Sequence, residues 1–197
     1  MKKSMKVIAS LLAVVLLFAS PSSAYAMSQQ NTIAHQALKK QIIADKRKYC
    51  SWVRPKIKYV YADIDGDHVS ELITEPGYGY LTQAIYAYQN GKVKNVATVS
   101  QGTFTKYYPK HKVLYVKNSS HMGVLCDYYY KYVNGTYKLV ARAEKDYGNR
   151  SYDEKPEQII YTVKGQEVTK AEYSAYTKKI IKNESGKSFS KLKWKRY

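Results

Sequence analysis

Acidic residues are scarce in this chain. Fifteen Asp and Glu stand against 33 Lys and Arg, giving a formal net charge of +18 at pH 7 over 197 residues. A surplus of that size attracts polyanions such as wall polymers, acidic glycans or anionic lipid, although a lysine-rich surface that merely keeps a protein soluble looks the same. Long apolar runs are also lacking after the first one, VIASLLAVVLLFAS, whose roughly 14 residues fall short of the ~20 that a membrane span needs. No His-Glu-x-x-His, Gly-x-Ser-x-Gly or phosphate-binding glycine loop occurs. The four histidines, His35, His68, His111 and His121, are scattered.

Residues 1–26 have the pattern of an export signal. Lys2, Lys3 and Lys6 precede the apolar run, and Ala24-Tyr25-Ala26 supplies the small-x-small cleavage pattern. The leader carries three lysines and no acid, so the remainder is expected at +15. Residues 27–197 are then expected to be secreted, with no further transmembrane segment and no specific nucleic-acid partner. No Pro/Gly/Ser-rich linker divides them, which predicts one domain.

There are only two cysteines, Cys50 and Cys126. In an exported chain they are a candidate disulfide closing a loop of about 75 residues, worth roughly 4 kcal/mol in a chain-entropy account. The alternative is a pair of buried thiols.

Helical spacing of Ile33, Ala37, Ile42 or Ile43 and Tyr49 predicts a helix over about 32–49, and Pro55 excludes its continuation. From about 56 to 164 the chain reads as short strands rich in β-branched and aromatic residues. Asn90-Gly91 and Asn134-Gly135 mark tight hairpins, since both residues of such a turn take positive φ. The hairpins YQNGKVKNVA (88–97) and YVNGTYKLVA (132–141) match at an offset of 44 residues, which suggests two stacked hairpins in one meander. Thr169 and Glu172 form a capping box opening a helix over about 169–182, with Ala171, Tyr176, Ile180 and Ile181 toward the sheet. Residues 185–197 read as a loosely held basic tail with Leu192 and Trp194 as anchors. The predicted class is α+β, mainly antiparallel β: a twisted meander of hairpins with an N-terminal and a C-terminal helix.

Against the basic background, YADIDGDHVSELIT (61–74) concentrates Asp63, Asp65, Asp67 and Glu71 within nine residues. Carboxylates at alternate positions of a tight loop can converge on one point, Gly66 permits the turn, and the Val69 carbonyl can add an oxygen. Hard oxygen donors without a nearby thiolate favour Ca2+ over zinc. A solvated Asp/Gly turn is the other reading. DIDGDHVSEL resembles the Asp-x-Asp-Gly-Asp-Gly-x-x-Asp/Glu-Leu calcium loop of FG-GAP and VCBS repeats. It is also similar to a loop in small secreted proteins of clostridia-like bacteria, where one copy precedes a β-meander. That resemblance implies Asp63, Asp65, Asp67 and Glu71 as side-chain ligands. It departs at His68, where the motif has a glycine; histidine tolerates positive φ better than most residues. An EF-hand fits worse, because position 74 is Thr74 and both flanks read as strands. A dissociation constant near 10⁻⁴ M would suit an extracellular site and, at millimolar calcium, would stabilise by about 1.4 kcal/mol.

Other constellations carry less. Cys126 with His111 or His121 as thiol and base, or a glycosidase-type pair among Asp146, Asp153, Glu154 and Glu157, is outweighed by core and surface roles. Tyr128, Tyr129, Tyr130, Tyr132 and Tyr137, with Tyr78 and Tyr80, offer either a sugar- or polymer-binding face or internal packing. The sequence therefore supports a secreted calcium-binding module for binding or display at the cell exterior. The alternatives are a metal-free basic module on anionic wall polymers or glycans and, third, a small hydrolase.

Overall fold

The computed structural model describes residues 29–50, 56–76, 83–99, 104–119, 123–151 and 153–197. The leader over 1–26, Pro55, Tyr78, Tyr80 and His121 lie outside the described residues. Helix α1 covers 29–49. It is followed by β1 (Ile57–Ala62), β2 (Glu71–Pro76), β3 (Gln83–Gln89), β4 (Lys92–Val99), β5 (Phe104–Tyr108), β6 (Val113–Ser119), β7 (Val124–Val133), β8 (Thr136–Asp146), β9 (Gln158–Val163) and β10 (Gln166–Val168). Helix α2 (Lys170–Ile181), β11 (Lys187–Ser188) and β12 (Lys195–Arg196) complete the chain.

The strands form two antiparallel sheets rather than one. The first has the order β12-β1-β2-β3-β4, the second β10-β9-β8-β7-β6-β5-β11. Period-2 alternation builds the layers. From β1, Val60 and Ala62 face inward with Ile73, Ile85 and Val99, and meet Tyr107, Leu114, Val116 and Tyr137 of the second sheet. The opposite face of the first sheet, including Ile57, Leu72 and Tyr86, receives α1 through Ala34, Leu38 and Ile42. The outer face of the second sheet, with Tyr108, Val113 and Tyr115, receives α2 through Ile180 and Tyr176. The result is a β-sandwich with one helix on each outer face, which is how each apolar face finds a partner.

Helix α1 buries the expected Ile42, but its first two turns present the neighbouring positions in place of Ile33 and Ala37. Ile33 is 45% exposed, while Ala34, Leu38 and Ile42 are buried at i, i+4, i+8, and Asp45 continues the stripe at 2% exposure. Asp45 stays buried because Gln41 Nε2 (2.8 Å), Thr74 Oγ1 (2.6 Å) and Tyr86 OH (2.9 Å) all donate to its carboxylate. Helix α2 opens as expected: Thr169 Oγ1 accepts from Glu172 N, and Glu172 Oε2 accepts from Thr169 N at 2.8 Å. Ala171 is exposed, and Thr177 is buried instead.

Both Asn-Gly turns hold positive φ, at 50° and 77° for Asn90-Gly91 and at 52° and 80° for Asn134-Gly135. The 44-residue offset extends to the ladders. Tyr88 pairs Val93 as Tyr132 pairs Tyr137, and both ladders shift register at matching places, between Ile85 and Tyr86 and between Tyr129 and Tyr130. The hairpins do stack, but in separate sheets. Equivalent rings point the same way through the stack, Tyr86 and Tyr88 toward α1, Tyr130 and Tyr132 toward the first sheet. At the tips Gln89 Nε2 donates to Tyr132 OH.

Residues 185–197 are not a loose tail. Lys187 and Ser188 pair with Tyr107 and Lys106 at the edge of the second sheet, and Lys195 and Arg196 pair with Tyr59 and Lys58 at the edge of the first. Phe189 between them is 3% exposed, and Leu192 and Trp194 pack on the same inter-sheet core. Trp194 Nε1 donates to the Phe189 carbonyl at 2.9 Å.

The expected disulfide is not formed, and both thiols are free. Cys50 packs on the α1 side of the first sheet. Cys126 is buried in the second sheet on β7, its thiol hydrogen-bonded to Tyr128, whose ring faces the inter-sheet core. The first sheet stands between them, and two thiols so separated cannot meet the short Cβ spacing of a disulfide. Among the described residues no helix is long and apolar enough to cross a membrane.

Candidate metal centre

The acidic segment is the β1–β2 connection, so two adjacent interior strands of the first sheet fix both of its ends. Inside it, each turn is closed by a side chain rather than by the backbone alone. Asp63 accepts from Gly66 N (2.7 Å) and His68 N (3.2 Å), Asp65 from Asp67 N (3.2 Å), and Asp67 from Val69 N (2.8 Å). Glu71, at the start of β2, reaches back to accept from Ile64 N at 2.9 Å. These bonds turn the carboxylates inward, the favoured local chemistry of Asp in a turn. His68 takes φ 69°, the left-handed conformation expected where the loop motif has glycine.

One carboxylate oxygen each from Asp63, Asp65 and Glu71 lies within 4.8 Å of the others. Asp67 falls outside that group but borders the same pocket, as does Val69, whose side chain belongs to the α1-facing core. Asp65 is 5% and Glu71 4% exposed, unusual burial for ionisable groups; Asp65 has Lys112 beside it, whereas Glu71 forms no ion pair among the described residues. Burial pushes the Glu71 carboxyl up to about 9, reinforced by the charges of Asp65, Asp67 and Asp63 and opposed by the Ile64 N–H. Asp67 is also raised, chiefly by burial and then by its acidic neighbours. Loss of hydration and mutual repulsion therefore act together on the cluster.

The one ammonium that reaches the loop among the described residues comes from the other sheet. Lys112 takes φ 53° after the 3-10 turn Pro109–His111 between β5 and β6, and its Nζ lies 3.3 Å from Asp65 Oδ2 and 5.5 Å from the Tyr132 ring centroid. The loop is wedged against the same turn. A Cβ on Gly66 (φ 77°) would sit 2.8 Å from the Pro109 carbonyl oxygen. Tyr132 closes one side of a pocket of about 210 Å³ above the carboxylates, together with Gln89 and Asn90 of the first hairpin tip. The Tyr132 hydroxyl is pushed up to about 12, first by burial and then by the field of Asp65, Glu71 and Asp67. The donor set is all hard oxygen, concave and short of positive charge, which fits a hard divalent cation.

Sequence reasoning found the four acids but missed Lys112, in the turn between β5 and β6, and did not connect Tyr132 of β7 with the loop. Lys112 is 47 residues from Asp65, and no local pattern joins them. The other candidates resolve into structural roles. Tyr128, Tyr130 and Tyr132 pack against the inter-sheet core, Tyr137 is buried in it, and Tyr129 lies under α2. Burial pushes the Cys126 thiol up, away from a reactive thiolate, and His111 lies 4.0 Å from Glu184. Asp146 accepts from Gly148 N, Glu154 from Ser151 N, and Glu157 pairs with Arg150, so these acids serve their own loop. Compared with protein-family models, curated proteins and solved structures, the chain matches none.

Proposed function

We propose that the protein is an exported binding or display module whose sandwich is braced by one calcium ion in the 63–71 loop. The observation that carries this reading is the convergence of Asp63, Asp65 and Glu71 within 4.8 Å, two of them buried, with Lys112 as their facing cation. Burial of unpaired charge costs several kcal/mol per group, and a divalent ion would offset two of the three negative charges, leaving one for Lys112. Asp63, Asp65 and Glu71 would hold the ion, with Asp67 and the Val69 carbonyl as the remaining protein oxygens. Bound there, the ion supplies charge neutralisation and ties the β1–β2 connection to itself. The export part of the reading rests on the leader pattern of residues 1–26.

The test is a thermal melt in EDTA followed by added 1 mM calcium, with isothermal titration alongside. A brace with Kd near 10⁻⁴ M contributes about 1.4 kcal/mol at that concentration. For a domain of this size, that raises Tm by about 3–6 °C. An unchanged Tm together with no titration heat would overturn the metal reading and leave a metal-free basic module.

A further inference from the structure

The crossover between the sheets is strongly one-signed. After Glu184 no acid occurs through Tyr197, while Lys187, Lys191, Lys193, Lys195 and Arg196 all do. All five are exposed, and none forms an ion pair among the described residues. Pairing of the segment with β5 at one end and β1 at the other fixes these charges on a rigid support. Alternation then sorts them. Phe189, Leu192 and Trp194 turn to the core. Arg196 pairs opposite Lys58, on the inter-sheet side, whereas Lys195 pairs opposite Tyr59, on the α1 side.

Two grooves flank the inter-sheet side. The larger, about 650 Å³, is lined by Lys106, Lys187 and Lys191 with the hydroxyl-bearing Ser185 and Ser190. The smaller, about 370 Å³, is lined by Lys58, Glu75, Trp194 and Arg196. Glu75 is held by Lys58 Nζ at 3.1 Å and Gln83 Nε2 at 2.9 Å, so Arg196 keeps its charge for a ligand. Lys191, the last residue of the 3-10 turn Phe189–Lys191, and Lys193, exposed between Leu192 and Trp194, lie on the stretch of chain that runs from one groove to the other.

We infer that Lys187, Lys191, Lys193 and Arg196 form a linear track that binds a single flexible phosphodiester polymer of the poly(glycerol phosphate) kind. Its lysines are point charges with rotatable donors, suited to phosphate oxygens, and the serine hydroxyls add neutral donors. Single-stranded nucleic acid shares the phosphodiester but also needs stacking platforms. The track offers few: the Trp194 ring is half-buried and its N–H is committed to Phe189, and Tyr107 is buried beneath Lys187, whose Nζ lies 5.9 Å from its centroid. The track is independent of the acidic loop, so calcium removal leaves it intact.

The test uses the chain as it exists after its leader, with fluorescent poly(glycerol phosphate) as probe and anisotropy as readout. Four neutralised phosphates give a slope of log K against log salt of about −3. Replacing Lys187, Lys191, Lys193 and Arg196 together by Gln is expected to weaken binding at least tenfold. Replacing Lys195, Lys138, Lys170 and Lys178 by Gln, an equal loss of charge elsewhere, is expected to change it less than twofold. On the unmutated chain, polymer should protect Lys187 and Lys191 from acetylation and leave Lys138 and Lys170 reactive, a readout that needs no variant. Equal weakening by both sets, uniform protection, no binding, or tighter binding of an oligonucleotide of the same charge would each overturn the proposal.

Discussion

Lys112 Nζ stands 3.3 Å from Asp65 Oδ2, so a residue of the turn joining β5 and β6 in the second sheet carries the positive charge that faces the acidic loop of the first. The ammonium occupies the same electrostatic role that a cation would. Lys112→Met is therefore expected to act in two directions at once. Calcium affinity should rise about fivefold, equivalent to about 1 kcal/mol for an ion pair whose lysine is nearly half exposed. The cation-free protein should melt lower than wild type in EDTA. Calorimetric titration and melts check both, and weaker calcium binding would show that Lys112 supports the ion rather than competing with it.

Glu71 ties the loop to pH. Its folded carboxyl titrates near 9, against 4.5 in the open chain. Below pH 4.5 both states are protonated and nothing is lost. As pH rises toward 9 the unfolded state gives up its proton first, so the cation-free fold loses stability across that window. Glu71→Gln removes the titration. Measured in EDTA, its Tm relative to wild type should increase from pH 5 to pH 8, and added calcium should stabilise only the wild type. A difference that stays flat with pH would mean that Glu71 is already ionised without metal.

Gly66 and Gly91 share φ 77°, but only Gly66 has a neighbour where a Cβ would go, the Pro109 carbonyl at 2.8 Å. Gly91→Ala should cost about 1 kcal/mol for backbone strain alone. Gly66→Ala should cost about 2 kcal/mol more, because the loop must back away from the second sheet. Denaturant melts of the pair isolate the contact between loop and turn. Equal losses would argue that the loop is not seated there.

The two thiols give a direct check on the arrangement of the layers. With Cys50 and Cys126 on opposite sides of the first sheet, dithiothreitol should leave Tm unchanged within about 1 °C. Thiol titration in denaturant should count both. In the native state Cys126, 3% exposed and with its thiol pushed up by burial, should react much more slowly than Cys50. A reductant-sensitive melt would require a different packing of the helices on the sheets.

Local signals were legible, and long-range ones were not. Asn90-Gly91, Asn134-Gly135 and the Thr169/Glu172 box each act within a few residues, and each formed where expected. The convergence of Asp63, Asp65 and Glu71 was readable for the same reason, since turn chemistry over nine residues brings it about. The division into two facing sheets depends on packing across the whole chain, and alternation alone does not say which strands share a layer. The face of α1 was partly misread because an aspartate sits on its buried stripe: Asp45 makes sense only beside Thr74 and Tyr86. In 187–196 the anchors Leu192 and Trp194 were readable and do face the core, but the surrounding lysines obscured Phe189 and the strand pairing that fixes the segment.

That last segment also links the two layers. Residues 187–196 supply the outermost rung of each sheet, capping β5 on one side and β1 on the other. One continuous stretch of backbone thus covers a rim of each layer, so peeling it away would bare unpaired strand edges on both at once.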